Sequence, residues 1–276
     1  MLEKLTFKNH LNETVDFGTG GLYLNINDLH SYKWDYSSKN NRISLFQRKI
    51  SEKKLPIVIV PPNDRTEGNE LMDRLMELAD KDVLAKEAGR LIAGDYYLEC
   101  YIFGNEKSKY DLQKGIFYAT LNAVSDQDKA AWIKETSHMF SKESGGSGQM
   151  LDYPYDHPYD FTSPSYIRDL VNTSFSDSEF KMRIYGEVTN PDIYIGGHSY
   201  AVTGHIGASE YVEIDSREKT VTLVQSNGTR VNWFRYRDKE SYIFQKIPSG
   251  QNSVAWQGSY MFQITLYEER SEPKWT

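Results

Sequence analysis

The spacing of apolar positions changes along the chain and predicts two kinds of element. Between residues 71 and 79, apolar side chains recur every three to four positions opposite acidic ones, which predicts a helix over residues 70–80. We expect this helix to continue in a second piece as far as Gly89. Elsewhere apolar and polar residues alternate, as they do in half-buried β-strands. The pattern therefore predicts a chain that is mostly β, with one main helix.

Strand patterns flank the helix on both sides in the N-terminal half. Pro61 and Pro62 end the strand that precedes the helix, because proline cannot donate to a β-ladder. The predicted strands are residues 5–7, 22–26, 43–46 and 55–60 before the helix, and 95–103, 115–123 and 132–133 after it. Strands, then one helix packed across them, then further strands indicate an α+β domain.

The last third, residues 192–269, reads as one antiparallel β-domain. Its predicted strands are Tyr211–Asp215, Thr220–Val224, 230–234, 242–247 and 261–267. Asn227-Gly228 predicts a tight hairpin turn, because both residues tolerate positive φ. Short strands at this spacing are typical of an all-β sandwich or a jelly-roll-like module.

The boundary between the two halves is visible in the composition. Residues 143–148 read Glu-Ser-Gly-Gly-Ser-Gly, which is typical of a flexible linker. Residues 152–160 are rich in Tyr and Pro, and we interpret them as an ordered connector or, alternatively, as a sugar-binding tyrosine strip. A chain of 276 residues suits two domains. We predict an α+β domain over 1–142, a connector over 143–164 and an all-β sandwich over 165–276.

Composition and charge narrow the functional classes. A net charge of −7 argues against a nucleic-acid grip as the main role, since that needs a basic face. The 20 tyrosines suit half-buried β-surfaces and interfaces. The single cysteine, Cys100, lies in a strand pattern and is expected to be a small core residue rather than a catalytic thiol. No N-terminal apolar run resembles a signal peptide, and we expect synthesis in a reducing cytoplasm and no membrane insertion.

The sequence offers little catalytic chemistry. His198 and His205 would lie on opposite faces of a straight strand, and no two further zinc ligands accompany them. The loop at Gly18 lacks the Lys and Ser/Thr of a phosphate-binding loop. Carboxylate pairs such as Glu210 and Glu213 are expected by chance among 39 acids. We therefore expect no catalytic, cofactor or metal site and no enzymatic activity.

The order of these segments resembles the siphophage distal tail protein (Dit) family over nearly the whole chain. The resemblance is carried by Leu-Pro-Ile-Val-Ile-Val at 55–60, the helix at 70–80 and Gly-Arg-Leu-Ile-Ala-Gly-Asp-Tyr-Tyr-Leu at 89–98, and by Phe-Tyr-Ala-Thr-Leu at 117–121 with Trp132-Ile133. The run from Asn190 through 213–215 and Asn227-Gly228 to Gly250 is similar to the galectin-like domain that follows in that family.

The resemblance implies a structural hub of a phage or prophage tail tip. Such proteins form a homo-hexameric ring between the tail tube protein and the tip or baseplate, and DNA only passes through the channel. The N-terminal domains build the ring, where a hairpin from one subunit commonly braces its neighbour. The galectin-like domain is an attachment platform for receptor-binding or baseplate proteins. The expected location is the virion tail tip, after synthesis in the bacterial host cytoplasm.

A basic stretch at residues 33–54 is the candidate for that brace. It carries seven Lys and Arg residues against only Asp35 and Glu52. It is either a solvated hairpin whose lysines guard an edge strand, or an arm that contacts an acidic surface of the next subunit; a grip on DNA is disfavoured. The candidate interface residues are Trp34, Tyr36, Lys39, Arg42, Phe46 and Arg48. The competing function is a monomeric carbohydrate-binding, lectin-like protein for host-surface recognition.

Overall fold

A computed structural model describes residues 5–25, 27–61, 65–111, 115–126, 129–141 and 169–274. Within these ranges the chain forms one α-helix and 21 strands, which confirms a mainly β protein with a single main helix. The chain divides into unit 1, Met1–Lys134 with Glu269–Thr276, and unit 2, Glu135–Glu268. The predicted connector lies outside the described residues, and the domain limits 1–142 and 165–276 stay predictions.

Unit 1 is an antiparallel β-structure crossed by the helix. Its elements are β1 Leu5–Lys8, β2 Thr14–Phe17, β3 Leu22–Leu24, β4 Asp35–Lys39, β5 Arg42–Gln47, β6 Ser51–Ile59, α1 Arg65–Ala85, β7 Gly89–Ala93, β8 Tyr96–Asp111, β9 Ile116–Ser125 and the start of β10 Trp132–Phe140. The long strand β8 organises the unit. Its first half pairs with β7 and with Trp132–Ile133 of β10, and its second half pairs with β9. From β7 the ladder continues to β1 and β2, and from β9 to β6 and β3.

The helix α1 covers the core of unit 1 with one apolar stripe. Leu75, Leu78 and Ala79 are buried, while Met72 and Met76 pack against the same core and stay partly exposed. The expected second helical piece up to Gly89 is wrong: α1 is one helix that ends at Ala85. Lys86 follows with φ 57°, the left-handed conformation that commonly ends helices.

Unit 2 contains two main antiparallel sheets. Its elements are the rest of β10, β11 Asp169–Asn172, β12 Glu179–Tyr185, β13 Val188–Thr189, β14 Asp192–Ile195, β15 His198–Ala201, β16 His205–Ile206, β17 Tyr211–Asp215, β18 Thr220–Val224, β19 Arg230–Asn232, a 3-10 helix Phe234–Tyr236, β20 Gly250–Trp256 and β21 Phe262–Arg270. One sheet has the order β19-β18-β17-β12-β21-β10 and the other β11-β20-β14-β15. Their apolar residues form one core, in which Phe180 and Ile214 from the first sheet join Ile193 and Val254 from the second.

Several strand predictions in unit 2 need correction. The strand expected at 242–247 is wrong, although Ile243 and Phe244 are both buried in the core of unit 2. These residues form a turn instead. The strand predicted at 230–234 ends at Asn232, whose side chain accepts a hydrogen bond from the Phe234 amide at the start of the 3-10 helix. The sequence pattern also gave no strand for β11, β12, β13, β14, β16 and β20.

Candidate subunit interface on the hairpin of β4 and β5

Strands β4 and β5 form a hairpin that stands as its own two-stranded sheet among the described strands. Asn40 and Asn41 make the turn with φ values of 50° and 58°. Positive φ at both central residues is what a two-residue type I′ turn requires, and Asn tolerates it better than most residues. The central part of the basic stretch is therefore a hairpin, one of the forms that the sequence left open.

An irregularity in the pairing decides which side chains share a face. Tyr36 pairs with Phe46, but Ser38 pairs with Ile43, so Ser44 is an extra residue on β5. Directly paired residues lie on the same face of a sheet, and successive residues alternate between faces. Ile43 therefore joins Tyr36 and Phe46 on one face, although its odd number would place it opposite them in a regular strand.

We call the face formed by Tyr36, Ile43 and Phe46 the aromatic face. The exposed fractions of these side chains are 65%, 56% and 56%. The rings of Tyr36 and Phe46 lie edge to face with 6.4 Å between centroids. A cluster of large apolar side chains that stays exposed to solvent is typical of an interaction surface.

Trp34 and Arg48 lie at the base of the hairpin and contact the rest of unit 1. The indole Nε1 of Trp34 donates to Ser271 Oγ over 3.2 Å. The Arg48 guanidinium lies 4.7 Å from the Trp34 ring centroid and 3.3 Å from Glu269 Oε2. These contacts hold the base of the hairpin, and Trp34 is the least exposed of the predicted aromatic anchors.

The opposite face and the tip carry the charge. Lys49 pairs with Asp35 over 2.6 Å, and its hydrogen bond lowers the pKa of the Asp35 carboxyl. Lys39 and Arg42 flank the turn, and within the described part of the chain neither has an ion-pair partner. The tip therefore presents two unneutralised positive charges to solvent.

Lys53 does not belong to the basic surface. Its side chain is buried, and Nζ donates to the carbonyl of Asp28 over 3.0 Å and to that of Ser31. Burial lowers the pKa of this lysine. Lys53 thus holds the loop before the hairpin against β6. The sequence analysis counted Lys53 among the basic residues of the stretch, but its role is structural.

The histidines and acids considered in the sequence analysis as possible catalytic or metal-binding residues do not come together in one site. His198 and His205 lie on different strands, so the argument from a single straight strand does not apply; His198 Nε2 lies 3.0 Å from the Tyr242 carbonyl and His205 Nδ1 lies 3.0 Å from Thr189 Oγ1. No group of His, Cys, Asp and Glu able to hold a metal occurs among the described residues. Glu213 is engaged in unit 2, where Arg183 and Arg230 bind it over 2.9 and 2.6 Å.

Cys100 is a core residue of unit 1, as predicted. It lies in β8 and is fully buried. Burial raises the pKa of its thiol to about 12, so the group stays protonated at neutral pH. This environment is the opposite of the one that activates a catalytic thiolate.

The fold is similar to that of a phage Dit protein and of a chain from a phage baseplate, which confirms the resemblance to the Dit family at the level of fold. The chain is similar to the Dit protein of phage SPP1 with a TM-score of 0.60 and 10% identity over 98% of this chain and 100% of that one. It is also similar to a chain of the phage P2 baseplate in its activated conformation with Ca, with a TM-score of 0.62 and 14% identity over 99% and 100%. No family model and no curated protein matches the sequence.

In the part of the chain that the structure describes, the helix lacks the apolar run that a membrane crossing requires.

Proposed function

We propose that this protein is a structural hub of a phage or prophage tail tip. Six copies form a ring between the tail tube protein and the tip or baseplate. Unit 1 builds the ring, and DNA only passes through its channel. The protein has no enzymatic role, and its location is the virion tail tip.

The observation that carries the proposal is the likeness of fold over the full length of a phage hub protein and of a chain from a phage baseplate. The SPP1 Dit protein is described as a paradigm of the hub adsorption apparatus in phages that infect Gram-positive bacteria, and the second structure is a phage baseplate. Both likenesses cover nearly all of this chain, so they extend to both units. The sequence identity to these two structures is 10–14%, so the proposal rests on similarity of fold and is tested below by the oligomeric state.

The hairpin of β4 and β5 supports a ring independently of the comparisons. Its aromatic face stays exposed, although Tyr and Phe are among the residues that contribute most to protein interfaces. A hairpin of one subunit that contacts a different surface of the next subunit makes a head-to-tail contact, and such contacts form a ring when the rotation between neighbouring subunits closes. In this proposal Tyr36, Phe46 and Ile43 supply apolar contact, Trp34 and Arg48 hold the base, and Lys39 and Arg42 supply charge at the tip.

Unit 2 is the proposed attachment platform. We assign it a galectin-like sandwich because its two sheets share one apolar core and because it occupies the C-terminal part of the chain. Its partners in this proposal are receptor-binding or baseplate proteins and the tail-associated protein of the tip. The domain limits 1–142, 143–164 and 165–276 belong to the same proposal.

The test is the oligomeric state. Light scattering on the purified full chain should give a particle of six times the 31.9 kDa subunit mass, and negative-stain images should show closed rings. Deletion of residues 37–42, which removes the hairpin tip, should reduce the particle towards single subunits. A chain that stays monomeric at high concentration, and that also fails to enter reconstituted tail tips, contradicts the proposed function.

The competing function is a monomeric carbohydrate-binding protein, and one feature of unit 2 favours it. On the sheet face that points away from the core, half-buried Tyr185 and Tyr211 lie 5.8 Å apart beside Arg183, whose guanidinium lies 5.8 Å from the Tyr211 ring. Aromatic rings next to planar charged groups offer both stacking and hydrogen bonds. A glycan array tests this function, and a monomer that binds sugars would favour it over the ring.

A further inference from the structure

We propose that a small cavity at the base of the hairpin of β4 and β5 binds a monovalent anion of the size of chloride or of a carboxylate group. The cavity has a volume of about 30 Å³, which is room for roughly two water-sized groups. The two ends of the hairpin meet β6, β8 and the start of β10 there, and all of the lining residues belong to unit 1. The site therefore does not depend on the proposed ring.

The charged side chains that line the cavity are all basic. They are Lys33, Arg48, Lys49 and Lys53, and none of the described Asp or Glu residues shares the lining. Two of these cations already contact a carboxylate outside it: Lys49 lies 2.6 Å from Asp35, and Arg48 lies 3.3 Å from Glu269. The other two form no ion pair with a described residue. The cluster therefore keeps an excess of positive charge, which an anion in the cavity would reduce.

The buried ammonium group of Lys53 benefits most from such a counterion. Its Nζ donates to two backbone carbonyls and contacts no carboxylate among the described residues. The more distant charges of Asp28 and Glu272 favour its protonated form, but burial outweighs them and lowers the pKa of this lysine. A buried charge is costly unless an opposite charge lies close to it. An anion in the cavity would supply that charge.

The uncharged polar groups of the lining offer hydrogen-bond donors. Trp132 is 1% exposed, and its indole Nε1 is buried without an acceptor among the described residues. A buried polar group that lacks a protein partner commonly binds water or an ion. Ser271 Oγ accepts from Trp34 Nε1, so its own hydroxyl proton can be donated to another acceptor. A cavity with an N–H donor, hydroxyls and cations favours an anion.

The size of the cavity limits the ligand. A volume of about 30 Å³ admits a single ion such as chloride, or the end of a carboxylate group, whereas a sulfonate or phosphate group has several more heavy atoms. Among the four cations, Lys49 should contribute least, because its side chain is 65% exposed and is already paired with Asp35. Lys33, Arg48 and Lys53 are the basic residues that we assign to the anion.

The line width of the chlorine NMR signal of dissolved sodium chloride tests this site, because exchange between solution and a protein-bound position broadens the signal. The full-length protein should broaden it in proportion to protein concentration. Sodium formate should reverse the broadening by competition, whereas sodium methanesulfonate at the same ionic strength should not. A signal that the protein does not broaden, or equal competition by both anions, would overturn the proposal.

Two exposed lysines of unit 1 provide a matched pair of variants. Lys33→Gln removes a charge from the lining and should weaken chloride binding about three- to tenfold. Lys54→Gln removes the same charge from an exposed position of β6 outside the lining and should leave chloride binding unchanged. Equal losses in both variants would mean that chloride responds to overall charge and would overturn the site.

Trp132→Phe tests the indole donor and should weaken chloride binding about tenfold, since it removes a hydrogen bond to a charged ligand. Circular dichroism checks that this core variant folds, and the lysine pair decides the question without it if the variant does not fold.

Thermal unfolding gives a readout that does not use the chlorine signal. A bound anion stabilises the folded state, so the wild type should melt at a higher temperature in sodium chloride than in sodium methanesulfonate of equal ionic strength. Lys33→Gln should reduce this difference and Lys54→Gln should keep it. The same melting temperature in both salts would overturn the site and leave the proposed function standing. A monomer that binds chloride would support the site and contradict the ring.

Discussion

Two hairpins of this chain place their apolar side chains in opposite environments. In the hairpin of β17 and β18, Val212, Ile214 and Val221 are buried in the core of unit 2. In the hairpin of β4 and β5, the three side chains of the aromatic face are more than half exposed. The difference is the second layer: β17 and β18 face a second sheet, whereas β4 and β5 form a sheet of their own. Burying a large apolar side chain stabilises a protein by about 1.5–3 kcal/mol. Each side chain of the aromatic face would therefore stabilise a complex by a similar amount if a partner covered it.

The largest expected effect is on the stability of the monomer, which should respond very differently to substitutions in the two hairpins. Ile214→Ala should lower the free energy of unfolding of unit 2 by about 2–5 kcal/mol, because it removes buried methyl groups and leaves a cavity. Phe46→Ala is the matched control and should change stability by less than about 0.5 kcal/mol. Urea unfolding of both variants under conditions that keep the chain monomeric gives the comparison. Similar losses for both would mean that the exposed hairpin is part of a core.

Charge gives the second contrast, because Glu213 is buried on β17 while the charges of the hairpin tip are solvated. Burial raises the pKa of Glu213, but its bonds to Arg230 and Arg183 outweigh this and bring the pKa below its usual 4.5. The stabilisation of the folded state by ionised Glu213 is therefore complete above pH 4.5, and it is lost as the pH falls through the lowered pKa. Glu213→Gln should cost about 1.5–3 kcal/mol at pH 7.

The pH dependence checks the origin of that cost. Unfolding of the wild type, followed between pH 2 and pH 6, should show a loss of stability below about 4.5 that Glu213→Gln lacks. A double variant of Lys39 and Arg42 to Gln is the matched control, and it should follow the wild-type curve. Parallel curves for the wild type and Glu213→Gln would show that other carboxyls dominate acid unfolding.

The third prediction concerns association through the aromatic face. Tyr36→Ala or Phe46→Ala should weaken the oligomer about 10–100-fold, which is 1.4–2.8 kcal/mol, while monomer stability stays unchanged. Trp34→Ala should also weaken the ring more than Lys39→Ala does, because its loss frees the base of the hairpin from Arg48 and Ser271. Analytical ultracentrifugation across a dilution series measures the effect. Val212→Ala, a core change, should instead alter folding.

The smallest effects are expected from the charges of the hairpin. Lys39→Ala should slow assembly by less than about tenfold, and added salt should slow assembly more than it dissolves a formed ring, since exposed charges act mainly on encounter rate. Lys49→Ala should leave both stability and the ring unchanged, because its pair with Asp35 is solvent-exposed. Stopped-flow light scattering at two salt concentrations measures the rates. A ring that falls apart in moderate salt would indicate that charge, and not the aromatic face, holds it.

Local patterns predicted much of unit 1 and part of the candidate interface. Leu75, Leu78 and Ala79 revealed the helix by their spacing, and Cys100 was predicted to be a core residue from the strand around it. The six candidate interface residues all lie on β4 and β5 or directly beside them. Ile43 was missed as a member of the aromatic face. The extra residue Ser44 shifts the strand so that Ile43 and Phe46 lie on the same face, and the order of apolar and polar residues gives no sign of this shift.

The sequence by itself determined the features whose signals are local: a helix with one apolar stripe, alternating strands, and the excess of positive charge between residues 33 and 54. Tertiary structure decided which apolar residues are buried and which charges are free. It buried Lys53, engaged Arg48 with Glu269, placed Ile243 and Phe244 in a core without a strand, and left Tyr36 and Phe46 in solvent. Burial depends on whether a second layer covers a face, and that layer comes from residues far away in the chain or, as we propose here, from another subunit.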